Sequence, residues 1–397
     1  MTQAPIISPI IPPIVVSGAG IGGLTTALCL AARGFSVTVV EKRTKLEEVG
    51  AGLQLSPNAS HILIRLGLGK ALARAACAPL SLDVRRGETT DLLARAPLHM
   101  MQNRFGAPYW VVHRADLQQI LLDHVRGTQG ISLQFGRSLS ALHHSDQGLE
   151  VTITGTSQHE TVTAHAVIGA DGLHSDLAML LGDTSKAKAS GYQAWRGTLP
   201  MSAVSPAFEP QRTTLYLGAQ AHGVTYPIRG GEQFNLVMVT REKAHEAGWS
   251  RTGDAEALQR KLKSWTALLP LIRQMPDWQV WSLYDRAPRQ RWSFGRVTLL
   301  GDAAHPVLPF LAQGAALAIE DAACVAHLLA QTPDNPAQAF ATYQQIRLPR
   351  ATRVQETARK NGSIYHLPFP LTLARDLVIR QKGGRLLEDY DWLYGWK

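Results

Sequence analysis

The chain has 397 residues, 45% of them hydrophobic and 18% charged, which is enough apolar material for a large core and excludes a disordered or collagen-like protein. Lys and Arg exceed Asp and Glu by 40 − 31 = +9, but no basic block or nucleic-acid motif gathers the surplus, so no nucleic-acid partner is expected. Cys29, Cys77 and Cys324 lie far apart with no CxxC pair, which argues against a disulfide framework or cysteine metal site and fits a reducing cytoplasm.

Along the chain, no Lys or Arg precedes Arg33, so the basic segment of a secretory signal is missing. Pro5, Pro9, Pro12, Pro13 and several glycines break the uncharged opening stretch, so no transmembrane segment is expected. Residues 13–40 read as strand, glycine turn, helix, strand, and the two strands are continuous apolar runs suited to a parallel sheet covered on both faces. Helical spacing follows over 57–75, broken near Gly67 and Gly69, and again over Ala115–Val125. From about 190 to 285 the texture becomes alternating and aromatic, predicting strands at Tyr192–Leu199, Thr213–Leu217, Val224–Ile228 and Phe234–Thr240. A hairpin turn at Arg229-Gly230-Gly231-Glu232 joins the last two. A buried strand returns at Arg296–Leu300, then a Pro-bearing loop and a helix from about Gly314 to Ala330. Arg347, Arg350, Arg353, Arg359 and Lys360 are spaced like one face of a solvated helix.

Two segments carry chemistry by themselves. Gly18-Ala19-Gly20-Ile21-Gly22-Gly23 sits between a strand and a helix, where glycines let the backbone approach a pyrophosphate and the helix N-terminus holds its charge. Glu41 ends the next strand and can accept hydrogen bonds from ribose hydroxyls. This pattern does not separate FAD from NAD, and its bland alternative is a tight turn with no ligand. The second segment is Gly301-Asp302-Ala303-Ala304-His305-Pro306, running through Pro309 to Gly314. There a strand-end aspartate and the positive end of a helix suit the ribityl chain and the electron-rich edge of a reduced flavin. A third run, Ala166 to Gly172, is a strand followed by Asp171-Gly172.

His222 and Tyr226 are four apart on a predicted strand and so face one side of the sheet. Histidine titrates near neutrality and suits removal of a phenolic proton, while tyrosine can hold the resulting oxygen. The alternative is that both simply pack. His143-His144, beside Ser145-Asp146, reads as a turn, and His305 and the cysteines read as structural. No metal site is expected.

The three motifs together, in this order and spacing, resemble the single-component, class A FAD-dependent aromatic hydroxylases over nearly the whole chain. Gly50-Ala51-Gly52-Leu53-Gln54-Leu55-Ser56-Pro57-Asn58 is similar to the branch of salicylate hydroxylases, 3-hydroxybenzoate 6-hydroxylase and 6-hydroxynicotinate 3-monooxygenase. The resemblance implies an α/β fold: a Rossmann-like FAD-binding domain over 1–185 and 286–397 that includes C-terminal helices, with an inserted, mainly β substrate domain over 186–285. It implies that Gly18, Gly20 and Gly23 flank the FAD pyrophosphate and that Glu41 holds the ribose with Lys42 and Val49 beside it. It further implies that Arg114 reaches the phosphate and ribityl region, that Leu139 meets the adenine, and that Asp302 and Gly314 lie along the flavin. Asp171 would serve both FAD and the nicotinamide nucleotide, and His222, Tyr226 and Pro309 would line the substrate pocket.

The expected reaction is hydroxylation of a small aromatic acid, a hydroxybenzoate or hydroxypyridine carboxylate, by NADH or NADPH and O2 through a flavin hydroperoxide. Hydroxylation of a larger or quinone-like substrate is the alternative, as is a non-hydroxylating flavin-dependent NAD(P)H oxidoreductase. A disulfide reductase is disfavoured, since there is no second GxGxxG and no redox cysteine pair. A cytoplasmic enzyme, and a homodimer as in many relatives, complete the expectation.

Overall fold

The computed structural model describes residues 12–46, 52–145, 148–155, 159–242 and 250–397. Its first layer is a six-stranded sheet in the order Ser293–Phe294, Val297–Leu299, Ala166–Gly169, Ile14–Ser17, Val37–Glu41, Ile131–Phe135. All neighbours pair in parallel except the edge pair at 293–298. The expected βαβ opening is present: Ile14–Ser17, helix Ile21–Ala31, then Val37–Glu41. Ile14, Val15 and Val16 are fully buried, as a central strand covered on both faces requires. A Cβ added at Gly22 would lie 3.0 Å from Leu300 Cδ1 and 3.2 Å from Ala318 Cβ, so its small size lets helix Ile21–Ala31 approach helix Gly314–Gln331 closely.

The second layer is an eight-stranded sheet in the order Ser250–Thr252, Gln279–Asp285, Lys188–Pro200, Gln233–Arg241, Ala221–Ile228, Thr213–Gly218, Ser81–Arg86, Leu92–Pro97. The predicted hairpin closes as expected: Arg229, Gly230 and Gly231 all take positive φ, and Ala221–Ile228 pairs antiparallel with Gln233–Arg241. One face of this sheet buries Trp195, Phe234, Leu236 and Met238 with Trp265 and Trp278. Two of its strands, Ser81–Arg86 and Leu92–Pro97, come from upstream of residue 186. The division of the chain at 185/186 and 285/286 is a proposal, and these two strands cross it. A further three-stranded sheet spans Arg137–Ala164.

Helix Pro336–Tyr365 corrects the reading of its arginines as a solvated face. Arg347 is completely buried, with Nε 2.7 Å from Asp321 Oδ1 and Nη1 2.7 Å from Glu320 Oε2. Arg350 donates to Glu320 and to the carbonyls of Trp392 and Leu393, and Arg359 pairs with Asp285 at 2.8 Å. Only Arg353 and Lys360 of the five are exposed. The five residues do share one helix, but Arg347 and Arg350 turn inward to Glu320 and Asp321 of helix Gly314–Gln331 and Arg359 to Asp285, while Arg353 and Lys360 face outward. Among the described residues no helix is long and apolar enough to cross a membrane, and no cluster of His, Cys, Asp and Glu could hold a metal ion.

Candidate active site

The glycine turn is built by steric necessity. Gly18 has φ +101°, and a Cβ there would come within 2.6 Å of the Ala170 carbonyl oxygen. A Cβ on Gly23 would come within 1.9 Å of the Gly18 carbonyl oxygen, whereas one on Gly20 meets nothing within 4 Å. Helix Ile21–Ala31 begins with no side-chain cap and no acid in its first turn. Its N-terminal amides therefore face the open space above Gly20, the arrangement that binds an anion.

That space is a cavity of about 650 Å³ between the two sheets. Most residues expected to bind the cofactor line it: Gly18, Gly20, Glu41, Lys42, Arg114, Leu139, Asp171 and Asp302, together with Pro309. Glu41 is anchored by the Ala19 amide at 2.8 Å and the Arg43 amide at 3.0 Å, one on each carboxylate oxygen, with lone pairs remaining. Lys42 is exposed at the rim and pairs with Asp176 at 3.0 Å. Arg114 starts helix Arg114–Arg126 and makes no hydrogen bond or ion pair with any described residue. Asp171 accepts from the Leu177 amide through Oδ2 at 3.0 Å, while its Oδ1 is buried without a partner, and burial pushes the carboxyl above its ordinary range. The surrounding walls push Asp302 up in the same way, with Arg114 pulling it back. Gly23 and Gly314 stand behind the lining, at the starts of their helices. Val49 lies outside the described residues.

His222 and Tyr226 do not line the cavity. They share strand Ala221–Ile228 and are 4% and 3% exposed. His222 packs at 5.5 Å from the Phe310 ring, next in sequence to Pro309 on the cavity wall. Burial holds its imidazole well below the ordinary value, so it is neutral at pH 7. Tyr226 lies against the backbone at Gly52, where a Cβ would come 2.3 Å from the ring, and burial pushes its phenol up. His305, expected to be structural, is buried with its Nε2 2.5 Å from Asp321 Oδ2.

Several lining residues escaped the sequence reading. Gln118 reaches from helix Arg114–Arg126 to the Ala19 carbonyl at 3.1 Å. Arg196 stacks over Trp281 at 4.9 Å with its Nε buried and without a hydrogen-bond partner. Neither belongs to a local motif, and only the strand register Arg196↔Gln279 brings Arg196 beside Trp281.

The profile of the FAD binding domain family matches residues 12–358. The chain belongs to this family. It is 35% identical to a 3-hydroxybenzoate 6-hydroxylase of Polaromonas naphthalenivorans, covering 97% of this chain and 96% of that one. It is 36% identical to a 3-amino-4-hydroxybenzoate 2-monooxygenase of Streptomyces platensis, again over 97% and 96%. Among solved structures, Klebsiella pneumoniae HpxO complexed with FAD and uric acid superposes with a TM-score of 0.84 at 26% identity, over 97% and 96% of the two chains. A salicylate hydroxylase substrate complex gives 0.83 at 22% identity over 98% and 97%, which shows the common fold.

This FAD-binding family member is an FAD-dependent aromatic monooxygenase. Its own residues fit the cofactor: an uncapped helix N-terminus behind an open glycine, an arginine with no hydrogen bond to a described residue, and a buried carboxylate oxygen with no hydrogen-bond partner among the described residues all face one cavity. These are the donors and acceptors that a dinucleotide's phosphates and hydroxyls would satisfy.

Proposed function

We propose that this protein hydroxylates a small aromatic acid bearing a ring hydroxyl, using NADH or NADPH and O2. The observation that carries the reading is His222: a neutral imidazole, buried in an aromatic pocket, whose neighbour Phe310 belongs to the loop walling the cofactor cavity. When bound, FAD supplies reduction by the nicotinamide and activation of O2. The glycine turn and Arg114 would hold its phosphates, Glu41 a ribose, and Asp302 the chain leading to the ring system.

The work of the polypeptide is to activate the substrate ring. His222 takes the proton of the hydroxyl group, which raises electron density at the ortho and para positions. Tyr226 holds the resulting oxygen by a hydrogen bond, and its raised phenol pKa keeps it a donor at neutral pH. Arg196, with its unpartnered Nε, meets the carboxylate of the acid. The eight-stranded sheet covers the site and limits entry of water. A cytoplasmic homodimer completes the proposal, and light scattering would test the dimer.

The test is oxidation of NADH and NADPH by FAD-reconstituted protein across hydroxybenzoates and hydroxynicotinates, with product analysis. One acid should strongly stimulate oxidation and be recovered with an added hydroxyl. Stimulation by no acid in the panel would overturn the substrate class, and a protein that takes up no FAD would overturn the whole reading.

A further inference from the structure

Nδ1 of His222 lies 2.9 Å from Nε2 of His366, a residue 144 positions later, and Nδ1 of His366 lies 2.7 Å from the carbonyl oxygen of Gly362. His366 caps helix Pro336–Tyr365, and the Gly362 oxygen is one of the helix's last carbonyls, left without an intrahelical partner. Both imidazoles are buried. Tyr192 stacks on His366 at 4.8 Å, and Phe310 and Tyr365 pack edge-on to His222 at 5.5 and 5.3 Å.

The proton positions follow from the partners. A carbonyl oxygen only accepts, so Nδ1 of His366 carries a hydrogen. Burial, with Arg241 and Arg375 adding positive charge nearby, brings the His366 pKa down to about 4, so the ring is neutral and its Nε2 is a lone pair. Tyr192 and Tyr365 are the other titratable groups against the pair, and burial pushes the Tyr365 phenol up so that it stays protonated near neutrality. The 2.9 Å contact can then be a hydrogen bond in one direction only, from Nδ1–H of His222 to Nε2 of His366. The reverse direction would need a doubly protonated imidazolium in a buried aromatic pocket.

We propose that His366 is a positioning residue for His222: the Gly362 carbonyl sets the tautomer of His366, and His366 sets that of His222, leaving Nε2 of His222 as the basic nitrogen. This rests on the reading of His222 as the proton acceptor. In the step it serves, the substrate O–H bond breaks, an Nε2–H bond forms, and no electron is gained or lost. The imidazolium so made keeps its Nδ1–H on His366, where the hydrogen bond becomes charge-assisted and strengthens. The nitrogen left basic is thus set by a helix end across the ring from it, through a neutral imidazole.

The experiment uses the FAD-reconstituted full chain, with histidine-selective nitrogen labelling, to read the ring tautomers by NMR. It adds steady-state kinetics with whichever hydroxybenzoate or hydroxynicotinate stimulates most. Wild type should show His222 protonated at Nδ1 and bare at Nε2. In His366→Gln the amide can donate to Gly362 and accept from His222, so the tautomer and kcat should persist to within about threefold. In His366→Ala the His222 signals should become a tautomer mixture and kcat should fall about tenfold or more with KM little changed, part of the contribution a general base makes. His222 bare at Nδ1 in wild type would overturn the proposal, as would unchanged tautomer and kcat in His366→Ala. If that variant does not fold, the wild-type spectrum and His366→Gln decide. A His222→Gln variant that keeps full hydroxylation would overturn the base reading and with it the positioning role. An Nδ1–H spectrum in the wild type would then place the failure in the chemistry and not in the hydrogen-bond chain.

Discussion

Nε2 of His305 lies 2.5 Å from Oδ2 of Asp321, with both side chains inside the protein. The same oxygen accepts the Gly301 amide at 3.0 Å, and the other takes Nε of Arg347 at 2.7 Å. This one carboxylate ties the loop that presents Asp302 to the cavity onto helices Gly314–Gln331 and Pro336–Tyr365. Burial alone would push its carboxyl up, but His305, Arg347 and the Gly301 amide hold it well below the ordinary carboxylate range.

Breaking this pair from one side leaves an uncompensated buried charge. Asp321→Asn or Arg347→Met should therefore cost about 3–5 kcal/mol in urea unfolding of the full-length protein. Because the folded pKa is depressed, the stability contributed by Asp321 is present above the unfolded value of about 4 and is lost below it. A cost under about 1 kcal/mol would mean that the network is not formed.

The glycine turn separates two kinds of requirement. Gly20→Ala should leave the fold intact, since its Cβ meets nothing within 4 Å, yet weaken FAD binding by crowding the pyrophosphate. Gly23→Ala should disrupt the turn itself, because its Cβ would lie 1.9 Å from a backbone oxygen. Flavin fluorescence titration and circular dichroism of both variants check this, and unchanged FAD affinity in Gly20→Ala would move the pyrophosphate elsewhere.

Arg114 is exposed and makes no hydrogen bond or ion pair with a described residue, so Arg114→Ala should change stability without FAD by less than about 0.5 kcal/mol. Loss of a charge-assisted hydrogen bond of about 1.5–3 kcal/mol should raise the FAD dissociation constant about 10- to 100-fold. Urea unfolding without FAD checks the first outcome and isothermal titration with FAD the second.

Acid should destabilise the protein through the His222–His366 pair. Both pKa values lie below the unfolded value, so the folded state resists protonation that the unfolded chain accepts. Stability is fully present above pH 6.5 and falls as the pH drops through that value toward 4. His366 alone accounts for about 3 kcal/mol at the lower limit. Denaturation at pH 7, 6 and 5 should show a shallower decline for His366→Gln than for wild type.

What was legible in advance was local. The glycine fingerprint, the strand ending at Glu41 and the Gly301–Pro306 segment are each contiguous, and their backbone geometry follows from residues within one turn and its flanking elements. The hairpin at 229–231 was legible for the same reason, since glycine supplies the positive φ it needs.

The amino-acid order by itself pointed to an α/β fold with a β-rich middle and to the glycine turn, Glu41, Asp171 and Asp302 on the cavity wall, because those signals lie in short stretches with fixed backbone demands. It did not determine that Arg347 is buried rather than solvated. A helix period says which residues share a face but not what that face meets, and here it meets Glu320 and Asp321. Nor did it bring Arg196 over Trp281 or His366 against His222, because those encounters depend on strand register and helix docking across the whole chain. Only the tertiary structure decided them: a side chain's protonation and pairing depend on burial and partners, which no local spacing encodes.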